Sequence, residues 1–275
     1  MERLAHDYIV WNADPTLLSF AGLDIRWYGV LFATAYLLGY QLIHWIYQRE
    51  GRDSQSLERL SLYLVIGTIV GARLGHCLLY DPTYYLTHPL KILAIWEGGL
   101  ASHGGGLGIM LALYLHKRQT TESYLWLLDR FAIPTALAGA FIRLGNLFNS
   151  EIYGTETSLP WAIVFERIDK LPRHPAQLYE AIAYAIIFIL LLFLYLRGNR
   201  STKPGFLFGI FLVTIFSTRF AIEFVKEKQA VYAFDYWLNT GQMLSLPFIL
   251  VGCILLIVEL KSPGHQSITH RSDRS

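Results

Sequence analysis

Charge is what this sequence has least of. Only 16 % of its 275 residues are Asp, Glu, Lys or Arg, while 53 % are hydrophobic. A soluble domain carries about a quarter charged residues, so a water-exposed globular fold is a poor fit. Cysteine is scarce too. Cys77 and Cys253 both lie inside apolar blocks, which excludes a disulfide framework and a CxxC-type metal site. His44, His88 and His116 stand near block ends without ligand spacing, and no metal site is expected. A formal charge of +2 with no basic stripe excludes a nucleic-acid partner. GxSxG, HExxH and P-loop patterns are missing, as are repeats and low-complexity stretches. The first fifteen residues include Glu2, Asp7 and Asp14 and no long apolar run, so no cleavable signal is expected.

Apolar runs of membrane length are what the chain has instead. A hydrocarbon core of roughly 30 Å needs about 20 mostly apolar residues as a helix. Seven blocks qualify, near 28–47, 60–80, 101–116, 131–148, 178–196, 206–224 and 243–260; the third and fourth are short and interrupted by glycine. The expected fold class is an all-α polytopic membrane protein with about seven spans. It forms one domain over 1–260, followed by a polar, disordered tail at 261–275. LLSFAGLDIRWYG reads as two short strands around Gly22, and WAIVF after Pro160 as another.

Basic residues favour the cytoplasmic side of short loops. Segments 48–59, 117–130, 197–205 and 261–275 carry 12 Lys or Arg, against 8 in the longer 1–27, 81–100, 149–177 and 225–242. The bias places the N-terminus outside and the C-terminus in the cytoplasm, as an odd number of spans requires.

Three arginines and a histidine fall inside the blocks, where charge is costly. At a helical rise of about 1.5 Å per residue, Arg73, Arg143, Arg219 and His103 all sit roughly 18–20 Å from the cytoplasmic ends of their spans. Guanidinium groups at one level suit an anionic lipid phosphate, which they bind through paired planar donors. The plainer alternative is that each arginine snorkels or locks helices. SHGGGLG at 102–108 fits either an opened backbone beside a cavity or tight helix packing. Glu223, one turn beyond Arg219, is placed to neutralise it. His76 and Cys77 are adjacent and point apart on a helix, so Cys77 is not expected to act as a nucleophile.

These stretches carry a resemblance. GARLGHCLLY at 71–80, WEGGLASHGG at 96–105, RLGNLFNSEIYG at 143–154, RHPAQLYEA at 173–181, RFAIEF at 219–224 and GQMLSLP at 241–247 follow RWYG at 26–29 in order. Over about 20–255 the chain resembles the bacterial prolipoprotein diacylglyceryl transferases, and RLGNxxNxExxG is that family's most specific signature. The resemblance implies a periplasm-facing site in the inner membrane. There diacylglyceryl passes from phosphatidylglycerol to the lipobox cysteine of a prolipoprotein, forming a thioether and releasing glycerol phosphate, without a cofactor. By matching, His103, Arg143 and Arg219 take essential positions. Tyr28, Asn146, Glu151, Gly154 and Glu223 take positions tied to activity or lipid binding, and Arg73 joins them as a lipid-binding candidate. Gly154 is expected to turn the chain away from the membrane.

The chain departs from the pattern at Ile142, where a glycine is usual before the signature arginine, and at Ser102. It departs also at Lys226, Lys228 and Gln229, which take the places of Arg, Pro and Asp. A divergent paralogue with another acceptor, a lipid- or anion-translocating protein and a non-catalytic lipid binder are the competing readings. The first would alter only the acceptor, the second needs a polar path to both faces, and the third does not need His103.

Overall fold

In the computed structural model, residues 8–20, 23–95, 98–99, 101–198, 203–227 and 238–261 are described, apart from the side chains of Leu23, Ser102, His103, Leu260 and Lys261. The tail beyond Lys261, Lys228 and Gln229 lie outside them. Each apolar block becomes a helix: α1 (Trp27–Arg49), α2 (Ser54–Leu79), α4 (Ser102–Lys117), α5 (Tyr124–Phe148), α6 (Ala176–Arg197), α7 (Phe206–Ile222) and α8 (Thr240–Lys261). A short α3 (Pro82–Thr87) and a 3-10 turn at Pro89–Leu93 join α2 to α4. Six of the seven long helices have the length and apolarity to cross a membrane. The remaining one, α4, has 16 residues and spans about 24 Å.

Local chemistry sets the helix starts. Asp53 accepts from the amides of Gln55 and Ser56 ahead of α2, and Ser123 accepts from Trp126 ahead of α5. Both satisfy donors that a helix N-terminus leaves open. The N-terminus of α7 is capped from another helix: Asp129 of α5 accepts from the amides of Gly205 at 2.7 Å and Phe208 at 2.8 Å.

Helix α5 is the centre. Its buried residues run all round it, from Trp126 to Leu147, as a helix enclosed by others requires. It packs against α1, α6 and α7, while α2 pairs with α4 and α7 with α8. The outer faces stay apolar: Ile182, Ile186, Ile189 and Phe193 of α6 and Leu250, Ile254 and Val258 of α8 are exposed. Such surface suits lipid and not water. The glycines of SHGGGLG serve packing, because α4 is regular from Ser102. A Cβ on Gly67 of α2 would lie 2.6 Å from the carbonyl oxygen of Gly108, so the two backbones touch.

Strands gather at one end of the bundle. β2 (Thr16–Phe20) and β3 (Leu23–Arg26) form the antiparallel hairpin expected before α1. The WAIVF strand appears as β4 (Ile163–Phe165). It pairs with β5 (Pro172–Arg173) and, in parallel, with an unforeseen β1 (Ile9–Trp11). The Trp11 indole donates to the Leu147 carbonyl at 3.0 Å, fixing this small sheet to the end of α5.

The opposite end, where the basic segments lie, is closed by a buried cluster. Arg130 and the Trp126 indole both donate to Glu50 at 2.9 Å, and the Arg130 guanidinium lies over the Trp126 and Tyr195 rings. These contacts join α1, α5 and α6.

Candidate active site

The last turns of α5 and the residues beyond it build the site. Arg143 donates through Nη1 to Asn146 Oδ1 at 3.2 Å, and Asn146 Nδ2 donates to Glu151 Oε1 at 2.7 Å. The three-residue spacing puts Arg143 and Asn146 on one helix face. Glu151 reaches back because Ser150 and Ile152 adopt positive φ values of 53° and 60°. Side chains rarely take this left-handed region, and it folds the chain under the helix end. The turn is held by Glu151 N to the Asn146 carbonyl at 3.0 Å and by the Gln177 amide to the Glu151 carbonyl at 2.8 Å.

Glu180 of α6, 0 % exposed, is the second centre. Its Oε2 lies 2.8 Å from Arg143 Nε, and its Oε1 accepts from Lys226 Nζ at 2.8 Å. The Tyr184 hydroxyl, one turn on, donates to the same Oε1 at 3.4 Å. Lys226 also reaches Glu223 Oε2 at 3.3 Å. A polar chain thus runs from Glu151 through Asn146, Arg143, Glu180 and Lys226 to Glu223. Buried charges persist when paired in this way.

Tyr28, in the first turn of α1, closes one flank. A Cβ on Gly145 would lie 2.7 Å from its ring. Arg219 lies on α7, which packs against α5 and α6. Among the described residues its side chain makes no hydrogen bond or ion pair. His103 lies in the first turn of α4, beside the bond from Ala101 N to the Ala72 carbonyl at 2.9 Å; its side chain lies outside the described residues.

Two expected partnerships are corrected. Arg73 is buried, but it is spent on the main chain. Its guanidinium donates to the carbonyls of Ile92 at 2.9 Å, Lys91 at 2.5 Å, Gly99 at 3.2 Å and Gly98. These main-chain acceptors take up its donors, so it fastens the segment after α3 and does not join the Arg143 cluster. The carboxylate of Glu223 pairs with Lys226 rather than Arg219, because α7 ends at Ile222 and a 3-10 turn over Glu223–Val225 redirects it. Gly154 is a point of close approach between chain segments. It bridges Lys226, and a Cβ there would lie 2.5 Å from both the Val225 carbonyl oxygen and His174 Cβ. Close approach is what demands glycine.

Glu180, Tyr184 and Gln177 went unassigned from the sequence, as did the role of Lys226. A signal existed: in RHPAQLYEAIAY the residues Gln177, Glu180 and Tyr184 recur at helical spacing inside an apolar block. Outside the membrane helices, Arg173 ties the site's loops together. Its hydrogen bond to Asp169, at 2.6 Å, holds that carboxyl below its ordinary range. Arg173 also meets Glu227 at 3.1 Å, next to Lys226.

The arrangement offers a guanidinium and an ammonium group fixed by carboxylates. Sequence comparison agrees with the geometry. Residues 15–258 match the sequence model of the family described as prolipoprotein diacylglyceryl transferase. A relative from Tolumonas auensis, named phosphatidylglycerol–prolipoprotein diacylglyceryl transferase, is 56 % identical over 92 % of this chain and 98 % of its own. Proteins of the same name from Chloroherpeton thalassium, 46 % identical over 92 % of this chain and 95 % of theirs, and Bacteroides fragilis, 45 % identical over 89 % and 92 %, are similar. With its six apolar helices of spanning length and its match across nearly the whole sequence, the chain is a multi-pass membrane protein of the prolipoprotein diacylglyceryl transferase family.

Proposed function

We propose that this protein transfers diacylglyceryl from phosphatidylglycerol to the lipobox cysteine of a prolipoprotein. The observation that carries the reading is the Glu151–Asn146–Arg143–Glu180–Lys226 polar chain, whose first four members fall within the family signature and the RHPAQLYEA stretch. In the reaction the substrate thiol loses its proton to a base. The thiolate attacks the glyceryl carbon bonded to phosphate oxygen, an S–C bond forms and that C–O bond breaks. Glycerol phosphate leaves and takes up the proton.

Arg143 is the anion binder. Asn146 and Glu180 fix its planar fork from two sides, so its remaining donors are pre-aimed at the phosphate. Such preorganised charge is typically the largest contribution in group transfer. Arg219, having no pairing partner among the described residues, supplies a second positive charge to the leaving group. His103 is the base, an effect worth roughly 10²–10⁴ in rate. Tyr28, Asn146 and Glu151 hold the headgroup or the groups that touch it, and Glu223 pairs with Lys226.

We place the strand-bearing end outside the inner membrane and the Lys261 end in the cytoplasm, following the basic-segment bias. The test is incubation of the purified protein with phosphatidylglycerol and a lipobox peptide, scored by mass on the peptide. A gain of one diacylglyceryl group on cysteine is expected. Phosphatidylglycerol bound but never consumed would leave a lipid binder, and the transferase reading would be wrong.

A further inference from the structure

Lys226 stands where the family pattern has arginine, and it is buried among charges with no water-facing role. The groups of the site balance. Arg143, Lys226 and Arg219 oppose Glu151, Glu180 and Glu223, three positive charges against three negative. An incoming phosphodiester adds one more negative charge to a low-dielectric setting, where an uncompensated charge is costly. Arg219, without a partner among the described residues, can meet part of that charge; a further cation becomes available only if a carboxylate gives one up.

The contacts indicate which carboxylate yields. Glu180 is 0 % exposed and is held between Arg143 and Lys226 at 2.8 Å on each side. Glu223 retains 17 % side-chain exposure and holds Lys226 at the longer distance of 3.3 Å. It sits on a single 3-10 turn at the end of α7, and the carboxylate rests against Gly241, where any side chain would collide with it. We infer that Lys226 is a phosphate-binding cation held between Glu180 and Glu223 in the lipid-free enzyme, and that the lipid phosphate displaces Glu223 from it. Glu180 stays in place as the shared counter-ion that keeps Lys226 beside Arg143. A lysine suits this exchange because its ammonium is a compact point charge on a flexible stem, without the directional fork of arginine. The inference rests on the proposed lipid substrate and adds a residue to its recognition.

The test compares two lipids that differ in the phosphate. Binding of phosphatidylglycerol and of diacylglycerol to the purified full-length protein in detergent is measured by native mass spectrometry. Lys226→Met is expected to weaken phosphatidylglycerol by about tenfold or more, the size of one lost charge-assisted hydrogen bond. Diacylglycerol, which lacks the phosphate, should bind within about twofold of wild type, and Lys226→Arg should hold phosphatidylglycerol to a comparable extent. Equal losses for both lipids would make Lys226 a structural tie, and unchanged phosphatidylglycerol binding would remove it from recognition; either result overturns the inference. Glu223→Gln supplies an independent reading if Lys226→Met does not fold. Removing the competing carboxylate should tighten phosphatidylglycerol by severalfold, whereas unchanged or weaker binding overturns the displacement. Wild-type protein that binds no phosphatidylglycerol refutes the proposed substrate itself. Wild-type protein that transfers normally, alongside a Lys226→Met variant that binds normally, refutes only the role of Lys226.

Discussion

The Glu180 carboxylate lies 2.8 Å from Arg143 Nε, joining the N-terminal part of α6 to the C-terminal part of α5. This pair, and not Arg219 with Glu223, is the ionic tie on which the orientation of the signature arginine rests.

Truncating one partner of a buried pair leaves the other charge uncompensated, a cost of about 3–5 kcal/mol. Arg143→Gln and Glu180→Gln are therefore expected to be non-additive in a double-mutant cycle on transfer rate. Arg219→Gln and Glu223→Gln should combine almost additively. A strong coupling in the second cycle and none in the first would reverse the assignment.

Arg143→Lys should stay poorly active despite keeping its charge. Lysine cannot contact Glu180 and Asn146 while also presenting a planar pair of donors to phosphate. More alkaline buffer should not restore it. Initial transfer rates at pH 7 and pH 9 check both statements.

His103→Gln should behave differently. A cysteine thiol has an unperturbed pKa of about 8.5, so it is mostly protonated near neutral pH and a base is needed. Raising the pH supplies thiolate without that base, and the ratio of mutant to wild-type rate should climb between pH 7 and pH 9. If the ratio stays flat while lipid binding collapses, His103 holds the headgroup instead.

Cys77 is buried on α2 and Cys253 half-buried on α8, and neither contacts the Arg143 chain. The double variant Cys77→Ala, Cys253→Ala should keep near-full transfer activity, since the reacting thiol belongs to the substrate. Loss of activity at normal expression would count against that source of the sulfur.

Gly154→Ala places a methyl group against main-chain atoms on two sides. Overpacking of this kind costs roughly 1–3 kcal/mol, and the bridge from Gly154 to Lys226 should open. A lower midpoint of thermal unfolding together with weaker phosphatidylglycerol binding is the expected pair of results. Unaltered values for both would mean the loop yields without cost.

The sequence by itself determined the helices. Hydropathy is a local property, and 20 or so apolar residues have one economical state in lipid, so all seven blocks became helices, although α2 and α5 begin six and seven residues earlier than their blocks. The hairpin before α1 and the strand at Ile163–Phe165 were legible for the same reason. Arg143, Asn146 and Glu151 were legible together because a helix end and one turn bring near neighbours into contact. What only the tertiary structure decided was the set of partners across helices. Arg73 and Arg143 look alike in sequence and stand at one depth, yet one closes on loop carbonyls and the other on Glu180. The choice depended on which acceptors the fold brought within reach. Glu223 was misassigned because a helical repeat was extended one residue past the end of α7. Glu180 meets Lys226 across 46 positions of chain. No periodicity encodes such a contact, because a buried charge is satisfied by whatever opposite charge packing delivers to it.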